Sequence, residues 1–220
     1  MQSGPRTQRT DWSRTTTSVT DIQTEAQLRE LIGEPTATVQ SKVADRLNSV
    51  TRAFVERSPF VCLATADAQG RCDVSPRGDQ PGFVKVLDDF TLLLPERPGN
   101  KLADSLRNIL ENPGVGLLFF QPGLGDTFRV NGRASLTTEP SLLAAWEKVP
   151  KLAIRITIEQ AFTHCPKAFL RSDFWNPQNY LSSAEFPSGG QVLKSLHPDF
   201  NAETYDRERA DRYARGEGLY

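Results

Sequence analysis

The chain lacks most of what would place it in several common functional classes. Three cysteines in 220 residues (Cys62, Cys72 and Cys165) are too few and too oddly spaced for a disulfide framework. Two histidines, His164 and His197, cannot by themselves make a convincing metal site, so no metal is expected. The charge is almost balanced, 26 basic side chains against 27 acidic, which leaves no global basic surface for nucleic acid. No apolar run approaches transmembrane length. The first twenty residues lack the apolar core of a signal peptide. A cytoplasmic protein bound to neither membrane nor nucleic acid is the expectation. There is no internal repeat, and no Gly-rich strand-to-helix fingerprint of a dinucleotide-binding domain.

What is present changes character along the chain. Residues 1–20, rich in Thr, Ser, Arg and Gln, read as a disordered or loosely docked arm. Residues 21–58 read as a helical segment. Thr24-Glu25-Ala26-Gln27 resembles a capping box, and Leu28, Leu31 and Ile32 share a face behind it. Val39, Val43, Leu47, Val50 and Phe54 mark a second helix, ending near Arg57 before Pro59.

From Pro59 the period becomes that of strands, and residues 59–180 form the main domain. Strands are expected over 60–66, 71–75, 82–87, 90–94, 114–121, 127–138 and 152–158, with Asp88-Asp89 as a compact turn. Two helices interrupt them, Asn100 to Glu111 and roughly Pro140 to Glu147. Many short strands and few helices predict a mainly β, α+β protein built on a closed or nearly closed antiparallel barrel. A four-residue loop at Asp67–Gly70 would set Ala66 against Arg71 and Cys62 against Ser75, so Cys62 and Cys72 would not be bridged. The polar tail, 181–220, either wraps a partner subunit or is solvated.

The stretch Asp73 to Leu110 organises the rest. Its helix is expected to start at Asn100, a good N-cap, with Leu102, Leu106, Ile109 and Leu110 on one apolar face. Unpaired N–H groups with Lys101 beside them suit a phosphate. An ordinary capped helix with an exposed Lys101 is the plainer reading. Past the last strand, helical spacing sets His164, Lys167 and Arg171 on one side. That stripe is either an anion site or a solvated basic face, and Pro166 leaves the direction of His164 open. Trp175 is either core or a ring stacked near a ligand.

The order Ser75-Pro76-Arg77-Gly78-Asp79, Pro81-Gly82-Phe83-Val84, Arg97-Pro98-Gly99-Asn100-Lys101 and Asn112-Pro113-Gly114-Val115-Gly116 resembles the pyridoxamine 5'-phosphate oxidase-like superfamily. The likeness runs on through Phe128-Arg129-Val130-Asn131-Gly132-Arg133-Ala134 and His164-Cys165-Pro166-Lys167-Ala168, nearest to an FMN-binding branch. The resemblance implies a split β-barrel, a homodimer, and FMN held in a groove between the subunits. It implies that Ser75, Pro76, Arg77 and Gly78 follow the ribityl chain and ring, with Arg77 also near the phosphate. Gly99, Asn100 and Lys101 would hold the phosphate. Thr127 and Arg129 would reach the flavin of the partner subunit, and Lys167, Arg171 and Trp175 would add C-terminal contacts to flavin or substrate. The C-terminal substrate signature of the vitamin-forming oxidases is not matched, which argues against pyridoxamine phosphate as substrate.

The chemistry would then be the cofactor's, a hydride or two electrons passed between a small-molecule substrate, or a nicotinamide reductant, and the flavin. No Ser-His-Asp or Cys-His arrangement offers a protein nucleophile instead. A flavin-binding or flavin-storage protein without turnover remains open, as does a barrel interaction module without flavin.

Overall fold

Seven strands form one antiparallel sheet in the computed structural model, which describes residues 21–182 and 185–220. The expected N-terminal arm, 1–20, lies outside the described residues. The strands are β1 (Phe60–Ala66), β2 (Cys72–Gly78), β3 (Lys85–Asp88), β4 (Thr91–Pro95), β5 (Gly114–Phe120), β6 (Thr127–Thr137) and β7 (Ala153–His164), in the spatial order β2-β1-β5-β6-β7-β4-β3. The helices lie outside the sheet, and the fold is an α+β split barrel.

The described residues divide into two compact units, with the boundary between Gln40 and Ser41. In the first, helix α1 (Glu25–Ile32) carries the expected capping box: Thr24 accepts from Gln27 N–H and the Gln27 side chain accepts from Thr24 N–H. Helix α2 (Ala37–Ser41) spans the boundary.

Alternation sorts each strand of the second unit into two faces. In β1 and β5 the inward residues Val61, Leu63, Val115, Leu117 and Phe119 are buried, while the intervening ones are half-buried or exposed. They join Phe128, Val130, Ile154 and Ile156 in one core cluster. Helices α3 (Ser49–Arg57) and α4 (Asp104–Glu111) supply Val55 and Ile109 to it. A smaller cluster on the other side of β4 joins Leu93 and Ala153 to Leu143 and Trp146, which follow from α5 (Pro140–Leu143). The Trp146 indole donates to the buried Phe83 carbonyl at 2.7 Å.

Several expected boundaries are corrected. The second N-terminal helix is broken into α2 and α3. Between them Ala44 exchanges backbone hydrogen bonds with Ala161, and Leu47 N–H donates to the Asp89 carbonyl at 2.8 Å. A continuous helix would have consumed those groups internally. Asn48 then caps α3 afresh. The β1–β2 hairpin pairs Ala66 with Cys72 and Cys62 with Pro76, one residue off the expected register. Asp67 N–H donates to the Arg71 carbonyl and Gly70 takes φ 77°, so the turn proper has three residues and closes on a left-handed glycine. Cys62 and Cys72 are still not partners. Strand β7 runs six residues beyond the expected Ile158, with a register shift opposite Asn131 and Gly132. At that bulge a Cβ on Gly132 would collide with the Thr157 carbonyl, so the close approach of β6 to β7 requires glycine.

Candidate functional site

Strand β2 is a sheet edge, so one row of its backbone polar groups has no strand partner. Alternation splits the expected cofactor residues on it. Pro76 and Gly78 are exposed on one side, whereas Ser75 and Arg77 turn inward with Asp73. Arg77 lies opposite buried Val61 and Ser75 opposite buried Leu63.

The inward side chains make a network with α4 and the end of β4. Ser105, in the first turn of α4, donates to the Asp73 carboxylate at 2.7 Å, and its hydroxyl lies 3.0 Å from that of Ser75. Arg77 Nε donates to the Ser75 hydroxyl at 3.1 Å, and its guanidinium pairs with Glu96. Both members of that pair are largely withdrawn from water, with side chains 16% and 25% exposed. Asp79 makes a second pair of reversed polarity with Arg97 at 2.9 Å. Burial opposes ionisation of Asp79, but the Gln80 N–H, the Tyr220 hydroxyl and Arg97 outweigh it and hold the carboxyl below its ordinary value. The two ion pairs lace edge strand β2 to the exit of β4.

Gly99, Asn100 and Lys101 follow on an exposed loop. Asn100 is not the helix cap. Its Oδ1 accepts from Leu102 N–H at 3.0 Å, while Lys101 and Ala103 take left-handed φ of 62° and 55°. These two residues interrupt the helical path, so α4 starts at Asp104 with no side-chain cap. Its unpaired N–H groups belong to the turn carrying Ser105, four residues later than expected. Leu102 and Leu110 are consequently exposed, and only Leu106 and Ile109 pack on the core. No atom lies within 4 Å of where a Gly99 Cβ would stand, which leaves this loop open to a ligand.

Thr127 and Arg129 lie elsewhere. Arg129 pairs with Leu118, Leu118 with Cys62, and Cys62 with Pro76. Directly opposed residues share a face, so Arg129 stands on the outer face, with Pro76 and not with Arg77. A single chain therefore holds Arg77 and Arg129 on opposite sides of its sheet. The Arg129 guanidinium carbon sits 4.2 Å from the Phe162 ring centroid. Its Nε is buried and has no hydrogen-bond partner among the described residues. Lys42 lies 5.4 Å from the same ring and donates to the Thr163 carbonyl at 2.8 Å. His164, opposite buried Thr127, sets its imidazole 5.2 Å from the Phe162 ring, tilted by 47° to it. Burial first, then Arg129 and Lys42, push the His164 imidazole below its ordinary value.

His164 thus ends a strand, and the expected helical stripe of His164, Lys167 and Arg171 does not form. Pro166 caps α6 (Lys167–Ser172), because proline fits the start of a helix and not its interior. In the single chain Lys167, Arg171, Leu170 and Phe174 are all exposed. Trp175 is half-buried, stacked on Phe169 at 5.6 Å, and donates to the Leu124 carbonyl at 2.7 Å. Phe169 in turn meets Phe120 of the outer face edge-on. An open depression of about 390 Å³ lies there, lined by Gly123, Gly125, Phe169, Asp173 and Trp175.

Four residues of this geometry were not singled out by sequence. Asp73 shares the period-two alternation of Ser75 and Arg77, a signal that was available. Ser105, Glu96 and Lys42 reach the site only through tertiary contacts.

The family model described as pyridoxamine 5'-phosphate oxidase matches residues 47–165, more than half of the chain. Solved structures with similar backbones include a candidate pyridoxamine 5'-phosphate oxidase from Lactobacillus delbrueckii, 24% identical over 54% of this chain and 95% of that one, TM-score 0.44. HupZ of Group A Streptococcus is 20% identical over 53% of this chain and 93% of its own, TM-score 0.43. An F420 reductase is 16% identical over 54% of this chain and 98% of its own, TM-score 0.38. No curated protein sequence matches the chain.

Proposed function

The chain belongs to the pyridoxamine 5'-phosphate oxidase family, and on that premise we propose that it is a cytoplasmic, homodimeric FMN-binding oxidoreductase acting on a small molecule. Members of this family commonly bind flavin or deazaflavin cofactors and act in redox chemistry. Among the described residues no helix is long and apolar enough to cross a membrane.

The observation that carries the proposal is the division of the cofactor residues between two faces. Ser75 and Arg77 converge with Ser105 at the start of α4, whereas Thr127 and Arg129 stand on the outer face. One ligand cannot touch both sets in one chain. A two-fold dimer, which sets the outer face of one subunit against the split edge of the other, lets it do so. The outer face suits such burial, since Phe60 and Val74 are exposed there beside half-buried Cys62, Ala64, Leu118 and Phe120. Strands β5 and β6 would form much of that interface.

The residues present fit FMN. The open loop at Gly99–Lys101 and the free N–H groups at the start of α4 suit a phosphate of nearly two negative charges. The free edge of β2 suits the polar rim of a flat ring. The buried, unpartnered Arg129 Nε is a donor in need of an acceptor. When bound, FMN supplies two-electron chemistry. Ser75 would orient the ribityl chain, Arg77 and Lys101 would neutralise the phosphate, and Arg129 of the partner subunit would hold negative charge at the ring edge. Arg77 reaches the phosphate by sharing or leaving Glu96. Lys167, Arg171 and Trp175 would complete the groove from α6 and the loop after it.

Fluorescence titration with FMN tests the reading. Arg77→Ala with Lys101→Ala should weaken binding by on the order of 100-fold, through loss of charge-assisted hydrogen bonds. Unchanged affinity in the folded double variant overturns the phosphate assignment. Light scattering that shows a stable FMN-loaded monomer at micromolar concentration overturns the dimer.

A further inference from the structure

The outer-face cluster around Phe162 contains more positive charge than a ring edge needs. Lys42 arrives from the segment between α2 and α3, Arg129 from β6 and His164 from the end of β7, and all three surround one aromatic ring. None forms an ion pair with a carboxylate among the described residues. The contrast with Arg77, Arg52, Arg71 and Arg97 is direct, since each of these is paired with an acid. Lys42 is held in place by its bond to the Thr163 carbonyl, which satisfies one of its three donors. Arg129 makes neither an ion pair nor a side-chain hydrogen bond among the described residues, and its Nε–H is buried without an acceptor.

We propose that Lys42, Arg129 and His164 form an anion subsite that binds the carboxylate or phosphate of the substrate. The word substrate rests on the flavin reading above, but the site itself does not. Phe162 is its floor. Arg129 offers a planar fork suited to an oxyanion, Lys42 adds a point charge, and His164 becomes a donor at both nitrogens once an anion is bound. The substrate class is therefore a small organic acid or phosphate ester, and a neutral or cationic substrate is disfavoured. Burial first, and then the positive charges of Arg129 and Lys42 that face it, favour the neutral His164 imidazole. An anion reverses that balance and draws a proton onto the ring.

The chain's two histidines make this readable. Histidine-labelled full-length protein should give two imidazole signals by NMR, with His197 as the internal control. At constant ionic strength, benzoate and inorganic phosphate are titrated separately, with and without FMN. The expected result is a saturable shift of the His164 signal and a raised titration midpoint, with His197 unmoved. Benzoate binding more tightly than phosphate marks a carboxylate site, and the reverse marks a phosphate site. Lys42→Ala, a change at an exposed side chain, should weaken the response roughly tenfold. Arg129→Lys should weaken it less than Arg129→Ala. Three outcomes overturn the proposal: neither probe moves His164, the response survives unchanged in Lys42→Ala and Arg129→Ala, or FMN displaces both probes while riboflavin does not. The last would assign the cluster to the phosphate of the cofactor. Because the titration also runs without FMN, a failure of flavin binding and a failure of this site are separate results.

Discussion

The two faces of the sheet handle positive charge in opposite ways. On the inner side the two arginines beside edge strand β2 are each paired with an acid: Arg77 has Glu96, Arg97 has Asp79, and Ser75 and Ser105 connect Asp73 to the same network. On the outer side Lys42, Arg129 and His164 gather without an acid. The inner arrangement is complete in one chain and serves the structure as well as any ligand. The outer arrangement is electrostatically unfinished. An uncompensated, partly buried cation is expensive, and the outer cluster therefore points to a ligand or a second subunit more strongly than the inner network does.

The largest expected effect removes both faces together. Gly132→Ala drives a methyl into the Thr157 carbonyl at the β6–β7 bulge. It should cost more than roughly 3 kcal/mol, in the range of severe backbone and packing defects. A urea unfolding midpoint within error of wild type would show that the bulge can relax and that the two faces do not depend on this contact.

Glu96→Gln makes the inner face resemble the outer one. Arg77 then keeps its bond to Ser75 and loses its carboxylate, a change expected to cost about 1–3 kcal/mol of stability. The freed guanidinium should bind the FMN phosphate several-fold more tightly. Lower stability together with tighter FMN binding would show that Glu96 competes for the position. Lower stability with weaker binding would mean that Glu96 instead holds Arg77 in its productive place.

The smallest effect is a pH dependence, and it sharpens the outer face. The folded His164 titrates below its ordinary value of about 6.5. As pH falls past that value the unfolded chain takes up the proton first, so it binds more protons than the folded chain. Stability should therefore decline from about pH 6.5 down to the folded value and level off below it. Asp79 acts in a different window. Its depressed carboxyl contributes stability above the ordinary carboxylate range and loses it only as pH falls through the lower folded value. Urea midpoints at pH 7.5 and 5.5 should thus separate in the wild type and draw together in His164→Gln. Equal separation in both proteins would remove His164 as the source.

Sequence period alone determined much of this molecule. The strands at Phe60, Gly114 and Thr127 were legible because apolar alternation and flanking turn residues are local properties. The capping box at Thr24 was legible for the same reason. The motifs through Ser75–Asp79, Arg97–Lys101 and Phe128–Ala134 marked the family, which the family model bears out over residues 47–165. Failures came where a long-range bond overrode a local one. Leu47 sits at helical spacing, yet its N–H goes to Asp89, and the helix breaks. Asn100 is a good cap in isolation, but two left-handed residues move the start of α4 to Asp104. His164 reads as one turn of a helix before Lys167, yet pairing with Thr127 keeps it in β7. Sequence names the residues and their spacing along the chain. Which face each one takes, and that Glu96 meets Arg77 while Lys42 meets Phe162, was decided by strand register and chain crossing, because those contacts join residues far apart in sequence.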